Sequence, residues 1–233
     1  MTKAKPETAR VRVGVDTGGT FTDFVFAHKG RVQIFKLAST PDDPSRAIIE
    51  GLRRIARDAS VRIGALEVVH GTTVGTNALL ERRGARAALV TTAGFEDVLE
   101  IGRQARPALY DLNAVRPEPL VPRALRFGIG ERVTASGEVL EALSDEALAE
   151  LIVKLKRARV EAIAVSLLFS FVRPEHEQRI ARALAGLNVP LSISHEILPE
   201  YREYERTSTV AINAYLQPLM GAYLKRLGKH APT

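Results

Sequence analysis

The sequence predicts an α/β chain with a mixed sheet at its N-terminal end, on three observations. Three apolar runs, Val11–Asp16, Phe21–His28 and Val32–Leu37, are separated only by turn residues and read as an antiparallel meander. Further on, helix-period and strand-period segments alternate, the pattern of a sheet with crossover helices. Between the first two strands lies Val13-Gly14-Val15-Asp16-Thr17-Gly18-Gly19-Thr20-Phe21-Thr22, closed by Asp23: a turn with paired glycines and three threonines, bracketed by two carboxylates.

In order, Lys29-Gly30 joins the second strand to the third. Asp42-Asp43-Pro44 opens a helix with acidic residues in its first turn, carrying Ile48, Ile49, Leu52 and Ile55 at helical spacing. Leu66–His70 reads as a strand, Val74–Arg83 as a helix, Ala87–Thr91 as a strand and the stretch around Phe95–Ile101 as a helix. Three strands, helix, strand, helix, strand, helix is the order of a ribonuclease-H-like unit, the building block of the actin-like ATPases. That architecture carries a phosphate-binding loop in its first hairpin, where the glycine turn falls here; fold alone does not fix function. Gln104 to Pro122, with Pro107, Pro117, Pro119 and Pro122, reads as a long loop. Arg126–Thr134 and Glu138–Leu140 read as a hairpin across Ala135-Ser136-Gly137. Helix Ser144–Arg157, strand Val160–Leu168, helix Pro174–Ala185 and strand Leu191–His195 follow, and Glu200–Leu227 is a helical tail interrupted at Pro218. The expected divisions are a phosphate-binding subdomain with the proline-rich loop (1–122), a smaller α/β subdomain (123–198), and a helical segment leading toward a C-terminal half (199–233).

The 233 residues are 45% hydrophobic and hold no cysteine. A core of that size needs no covalent staple, and thiolate catalysis and cysteine metal sites are excluded. Met1–Arg10 is polar, and no segment reaches the roughly 18 apolar residues of a membrane span. A soluble, cytoplasmic protein without membrane contact is expected. The net charge of +6 is spread over short clusters with no aromatic interleaving, which argues against a nucleic-acid partner.

The chemistry sits first in the glycine turn. Gly18 and Gly19 can take positive φ and leave room for a ligand against the backbone. Successive N–H groups in such a turn converge on an anion. Thr17, Thr20 and Thr22 add hydroxyls, and Asp16 and Asp23 supply hard oxygen for Mg²⁺. Neither a Gly-x-x-x-x-Gly-Lys-[Ser/Thr] loop nor a Gly-x-Gly-x-x-Gly fingerprint occurs, so a hairpin would have to grip the phosphate. The alternative is a plain Gly-Gly turn flanked by β-favouring threonines.

A second constellation, His70-Gly71-Thr72-Thr73-Val74-Gly75-Thr76-Asn77, spans a strand-to-helix junction. His70 reads as an acid, base or oxyanion donor, or else as a satisfied strand-end histidine. Thr72 and Thr73 read as phosphate or substrate contacts, or as a helix cap. Asn77 puts a polar group one turn into an apolar helix. Arg103, Gln104 and Arg106 suit a carboxylate clamp as well as a solvated helix end. Arg202–Ser208 is a charged run whose default reading is a solvated, self-paired face, Arg202 with Glu205 and Glu203 with Arg206. An inter-domain polar surface is the other reading.

These residues carry a resemblance. Asp16–Asp23, His70–Leu80, Thr92-Ala93-Gly94-Phe95-Glu96-Asp97, Ile101-Gly102-Arg103-Gln104, Ser194–Glu200 and Glu203–Thr209 resemble, in order along nearly the whole chain, the hydantoinase A/oxoprolinase family. The resemblance implies an actin-like, ATP- and Mg²⁺-dependent enzyme acting on a small cyclic amide, whose oxygen ATP phosphorylates before water attacks. Asp16 would orient Mg²⁺ with Asp23; Gly18, Gly19 and Thr20 would hold phosphates, with Thr17 and Thr22 completing the loop. His70, Gly71, Thr72, Thr73, Asn77 and Arg103 would face the second half of the active site. Family members run much longer, so the chain is expected to be the N-terminal region alone, inactive without a C-terminal half or partner subunit, and part of an oligomer. A subunit of an ATP-dependent acetone- or acetophenone-type carboxylase, a metabolite kinase, and a non-catalytic actin-like module are the alternatives.

Overall fold

The computed structural model describes residues 11–40, 42–105, 108, 110, 111, 113 and 117–230. Contacts divide the chain into two units: one takes in the residues up to Glu81 and from Leu219 on, the other runs from Arg82 to Pro218. The expected divisions at 122/123 and 198/199 both fall inside the second unit.

In the first unit, β1 (Val11–Thr17), β2 (Phe21–His28) and β3 (Arg31–Ala38) form the expected meander. Helix α1 (Ser45–Asp58) then leads to β4 (Leu66–Thr72), which pairs in parallel with β1, giving the order β3-β2-β1-β4. Side chains alternate along β1 and β2. Val11, Val13, Val15, Phe24 and Phe26 turn inward onto Ile48, Leu52 and Ile55 of α1. Gly51 makes that packing possible, because a Cβ there would stand 2.1 Å from the Phe24 ring. The acidic start predicted for α1 lies one step earlier: Asp43 Oδ1 accepts from Ser45 N at 3.2 Å and Ser45 Oγ at 2.7 Å, ahead of Pro44. Helix α2 (Val74–Leu80) ends three residues before the expected Arg83.

In the second unit, β5 (Ala87–Thr92) is followed by a single helical turn, α3 (Val98–Ile101), in place of a longer helix. The hairpin predicted for Arg126–Thr134 with Glu138–Leu140 divides in two. β6 (Arg126–Ile129) pairs in parallel with β5, and only the two residues of β7 (Arg132–Val133) pair with β8 (Val139–Glu141). The strand breaks at Gly130-Glu131 because Glu131 turns into the interior. Helix α4 (Asp145–Ala158) is capped by Ser144, whose Oγ accepts from Ala147 N at 3.1 Å. β9 (Ala162–Ser166), α5 (Glu175–Leu184), β10 (Leu191–Ile193) and the turn α6 (Ser194–Ile197) complete an all-parallel sheet in the order β10-β9-β5-β6. β5 and β9 are buried at every position, as a sheet covered on both faces requires.

Helix α7 (Glu203–His230) runs through Pro218 without interruption. A proline costs one backbone N–H and crowds the preceding turn, and α7 absorbs both with tightly buried residues on either side, Val210, Ala214 and Tyr223 among them.

Candidate functional site

The glycine turn stands at the ends of β1 and β2. Register places Asp16 opposite Asp23 and Thr17 opposite Thr22, while on the parallel side Asp16 meets Gly71 and Thr17 meets Thr72. Alternation puts Asp16 and Asp23 on the outer face and buries Thr17 and Thr22 on the inner one. Neither Gly18 nor Gly19 takes positive φ, so glycine supplies space here and not an unusual backbone. At Gly71 a Cβ would stand 3.4 Å from Asp16 Oδ1.

Hydrogen bonding makes the turn electrostatically one-sided. Gly18 N donates to Phe21 O at 3.0 Å, and Ser39 ties down two further carbonyls: its N–H donates to Thr20 O at 2.9 Å and its hydroxyl to Gly18 O at 2.9 Å. With its proton committed, Ser39 Oγ accepts from Thr22 at 3.0 Å. The N–H groups of Gly19 and Thr20 find no acceptor among the described residues. Carbonyls tied inward and N–H groups left outward is the arrangement of an anion nest.

Asp23 takes an exposed ion pair from Lys36 at 3.4 Å, and Asp16 has no ionic partner among the described residues. Two carboxylates facing each other across a pair of strands repel, and that repulsion is what a divalent cation would relieve. Among the described residues no three His, Cys, Asp or Glu side chains gather as a metal cage. Two carboxylates beside free N–H groups nevertheless suit Mg²⁺, which binds through one or two carboxylates and completes its shell with water and phosphate oxygen.

The second constellation abuts the first. Thr73 N donates to Thr17 O at 3.2 Å and its hydroxyl reaches the same oxygen at 3.4 Å, while Thr72 Oγ1 accepts from Val74 N at 3.1 Å at the start of α2, whose N-cap is Thr73. Asn77 Nδ2 lies 3.4 Å from Thr73 Oγ1 and 3.7 Å from where a Cβ on Gly19 would stand, so its amide borders the turn. Both nitrogens of His70 are engaged: Nδ1 with Val15 O at 3.3 Å and Nε2 with the Tyr223 hydroxyl at 2.5 Å. Burial pulls the His70 pKa below its ordinary value, only partly offset by the Val15 carbonyl and the Asp16 charge.

Arg103 lies in the second unit, where Nε meets Glu205 Oε1 at 2.7 Å beside an open cavity of about 1190 Å³ bordered by Gln104, Leu120, Tyr204 and Ser208. Arg106 lies outside the described residues. The run from Arg202 to Ser208 is not the solvated face expected of it. Arg206 is fully buried, donating to Glu203, to Leu167 O at 2.6 Å and to Glu200 O at 3.3 Å, over the Phe171 ring. Glu205 pairs with Arg103 and not with Arg202. Glu177, equally buried, accepts from Leu167 N, Ser194 Oγ, His195 N and His195 Nδ1.

Sequence reasoning missed Ser39, Tyr223 and Glu177. Ser39 acts on residues 17 to 21 positions away and Tyr223 on one 153 positions away. No local pattern announces contacts at such separations.

Fold and site together define an α/β protein whose first hairpin turn carries two free N–H groups and is framed by two carboxylates. The model of the hydantoinase/oxoprolinase N-terminal region matches residues 12–187, and the chain belongs to that family. It is 43% identical over 227 residues to the caprolactamase subunit alpha of Pseudomonas jessenii, covering 93% of this chain and 32% of that protein. To the acetophenone carboxylase gamma subunit of Aromatoleum aromaticum it is 36% identical over 229 residues, covering 89% and 31%. The crystal structure of ATP-dependent caprolactamase from Pseudomonas jessenii superposes with a TM-score of 0.84 at 41% identity, over 93% of this chain and 33% of that one. The chain thus spans about a third of the length of these relatives. Among the described residues no helix is long and apolar enough to cross a membrane.

Proposed function

We propose that the chain is the N-terminal ATP- and phosphate-binding region of an ATP-dependent enzyme that opens small cyclic amides, in the manner of the caprolactamase it resembles. The observation that carries this reading is the one-sided turn: free N–H groups at Gly19 and Thr20 beside two opposed carboxylates. The order β3-β2-β1-β4, with only β4 parallel to β1, supports the ribonuclease-H-like, actin-like form of that reading.

Bound Mg²⁺·ATP supplies the phosphoryl group that turns an unreactive amide oxygen into a leaving group. Phosphoryl transfer asks a protein mainly for position and charge neutralisation, and the residues here are suited to both. Asp16, with Asp23, orients the cation. The free N–H groups of Gly19 and Thr20 would hold phosphate oxygens, Gly18 leaves them room, and Thr17 and Thr22 hold the turn from its buried side. Gly71 keeps the space beside Asp16 open, Thr72 and Thr73 fix the start of α2, and Asn77 offers its amide to substrate or phosphate. A C-terminal half or partner subunit completes the site in an assembled, oligomeric enzyme of the cytoplasm, and Arg103 of the second unit contributes to catalysis there. The identity to an acetophenone carboxylase subunit favours a second reading, in which the phosphorylated group is bicarbonate or an enolate.

Amide NMR during Mg·ATP titration tests the proposal. Shifts confined to Gly18–Asp23 and Gly71–Asn77, saturating at roughly millimolar nucleotide, are expected, and Asp16→Ala should abolish them. No shift by about 10 mM nucleotide, or equal shifts in the variant, would overturn it. In the assembled enzyme, Asp16→Ala should remove nearly all ATP turnover, and turnover with caprolactam, 5-oxoproline, or ketone plus bicarbonate separates the two readings.

A further inference from the structure

Tyr223 is buried to 1% exposure among the core side chains of the first unit. A buried phenol needs a partner for its hydroxyl, and this one finds it on the strand end that borders the glycine turn. Its hydroxyl lies 2.5 Å from His70 Nε2.

Proton accounting gives the arrangement a direction. Val15 O can only accept, so His70 Nδ1 carries the proton and Nε2 is left as an acceptor. Tyr223 must therefore donate to Nε2. Through the His70 ring the hydroxyl ties the end of β4 to β1 at Val15, one residue before the register pair Asp16–Gly71.

We propose that Tyr223 is a positioning residue of the glycine turn: acting through His70, it fixes the spacing of the β1 and β4 ends that present Asp16, Gly18 and Gly19. The functional value of that spacing rests on the phosphate-binding reading above. His70, with both nitrogens committed, is then a strut and not an acid or base.

The test is Tyr223→Phe, which removes one oxygen and keeps the ring. In the wild-type chain, ¹⁵N shifts of His70 should show the neutral Nδ1–H tautomer alone; an Nε2–H tautomer there overturns the proposal even if the variant does not fold. In the variant the Nε2–H tautomer should appear, and amide exchange at Gly18 and Thr73 should quicken about tenfold while β2–β3 amides stay unchanged. Unchanged tautomer and exchange, or a uniform rise across the first unit, sinks the idea. Mg·ATP binding should weaken about tenfold, the cost of one hydrogen bond to the turn's support. A wild-type chain that binds no Mg·ATP defeats the phosphate reading while the His70 signature still judges Tyr223.

Discussion

The two sheets treat polar groups in opposite ways. In the mixed sheet of the first unit, side chains alternate, one face is covered by α1, and the carboxylates of Asp16 and Asp23 stand outward facing each other. In the parallel sheet of the second unit, β5 and β9 are buried throughout, and the ionisable groups beyond the strand ends are paired inside the protein. Glu177 accepts four hydrogen bonds, Glu131 holds Thr92 and His176, and Arg206 is locked to Glu203 and two carbonyls. A buried charge held by several partners is architecture; an opposed, outward carboxylate pair beside free N–H groups is, on the proposed reading, capacity for a ligand. The histidines repeat the contrast. His70 is kept neutral by burial, whereas the Glu177 hydrogen bond holds His195 protonated above its ordinary range.

The sharpest way to break the comparison is Arg206→Met. If Arg206 is architectural, its loss strands Glu203 and the Leu167 and Glu200 carbonyls, and should cost about 3–5 kcal/mol. Calorimetry should show the transition of the second unit collapse while Mg·ATP shifts at Gly19 persist. Next comes Gly51→Ala, which drives a methyl into the Phe24 ring and should cost about 1–3 kcal/mol. Urea unfolding should place that loss in the first unit alone. The smallest effect is the pH response. His70, lowered from 6.5, lets the unfolded chain bind a proton that the folded one refuses, so the first unit should weaken as pH falls below 6.5. His195, raised from 6.5, gives the second unit stability that is fully present below 6.5 and lost as pH rises through the folded value. Calorimetric transitions scanned between pH 5 and 8 should therefore shift in opposite directions, and parallel shifts would contradict the assignment of the two histidines.

Much of this was legible in the sequence. The alternation of β1 and β2, the turn at Lys29-Gly30 and the α1 stripe are local patterns, and each element lies within a few residues of its predicted place. The glycine turn was legible for the same reason, since its carboxylates and threonines are contiguous. What escaped depends on distant partners. Arg206 carries the composition of a surface residue and is buried only because Leu167 and Glu200 offer carbonyls to it. β6 looked like half of a hairpin, and only β5, far back in the chain, claims it for the parallel sheet. Pro218 suggested a break because local chemistry disfavours proline in a helix, and the packing of α7 outweighs that preference.

The facing pair of Asp16 and Asp23 has a consequence for how this sequence drifts. Repulsion across the strands, only partly eased by Lys36, is a standing cost to folding at a position that contributes no core. A library of variants selected for stability alone should exchange one of the two for asparagine within a few rounds. A library selected for growth on a lactam nitrogen source should keep both. Retention of an unfavourable pair under one selection and its loss under the other would mark the turn as shaped by use.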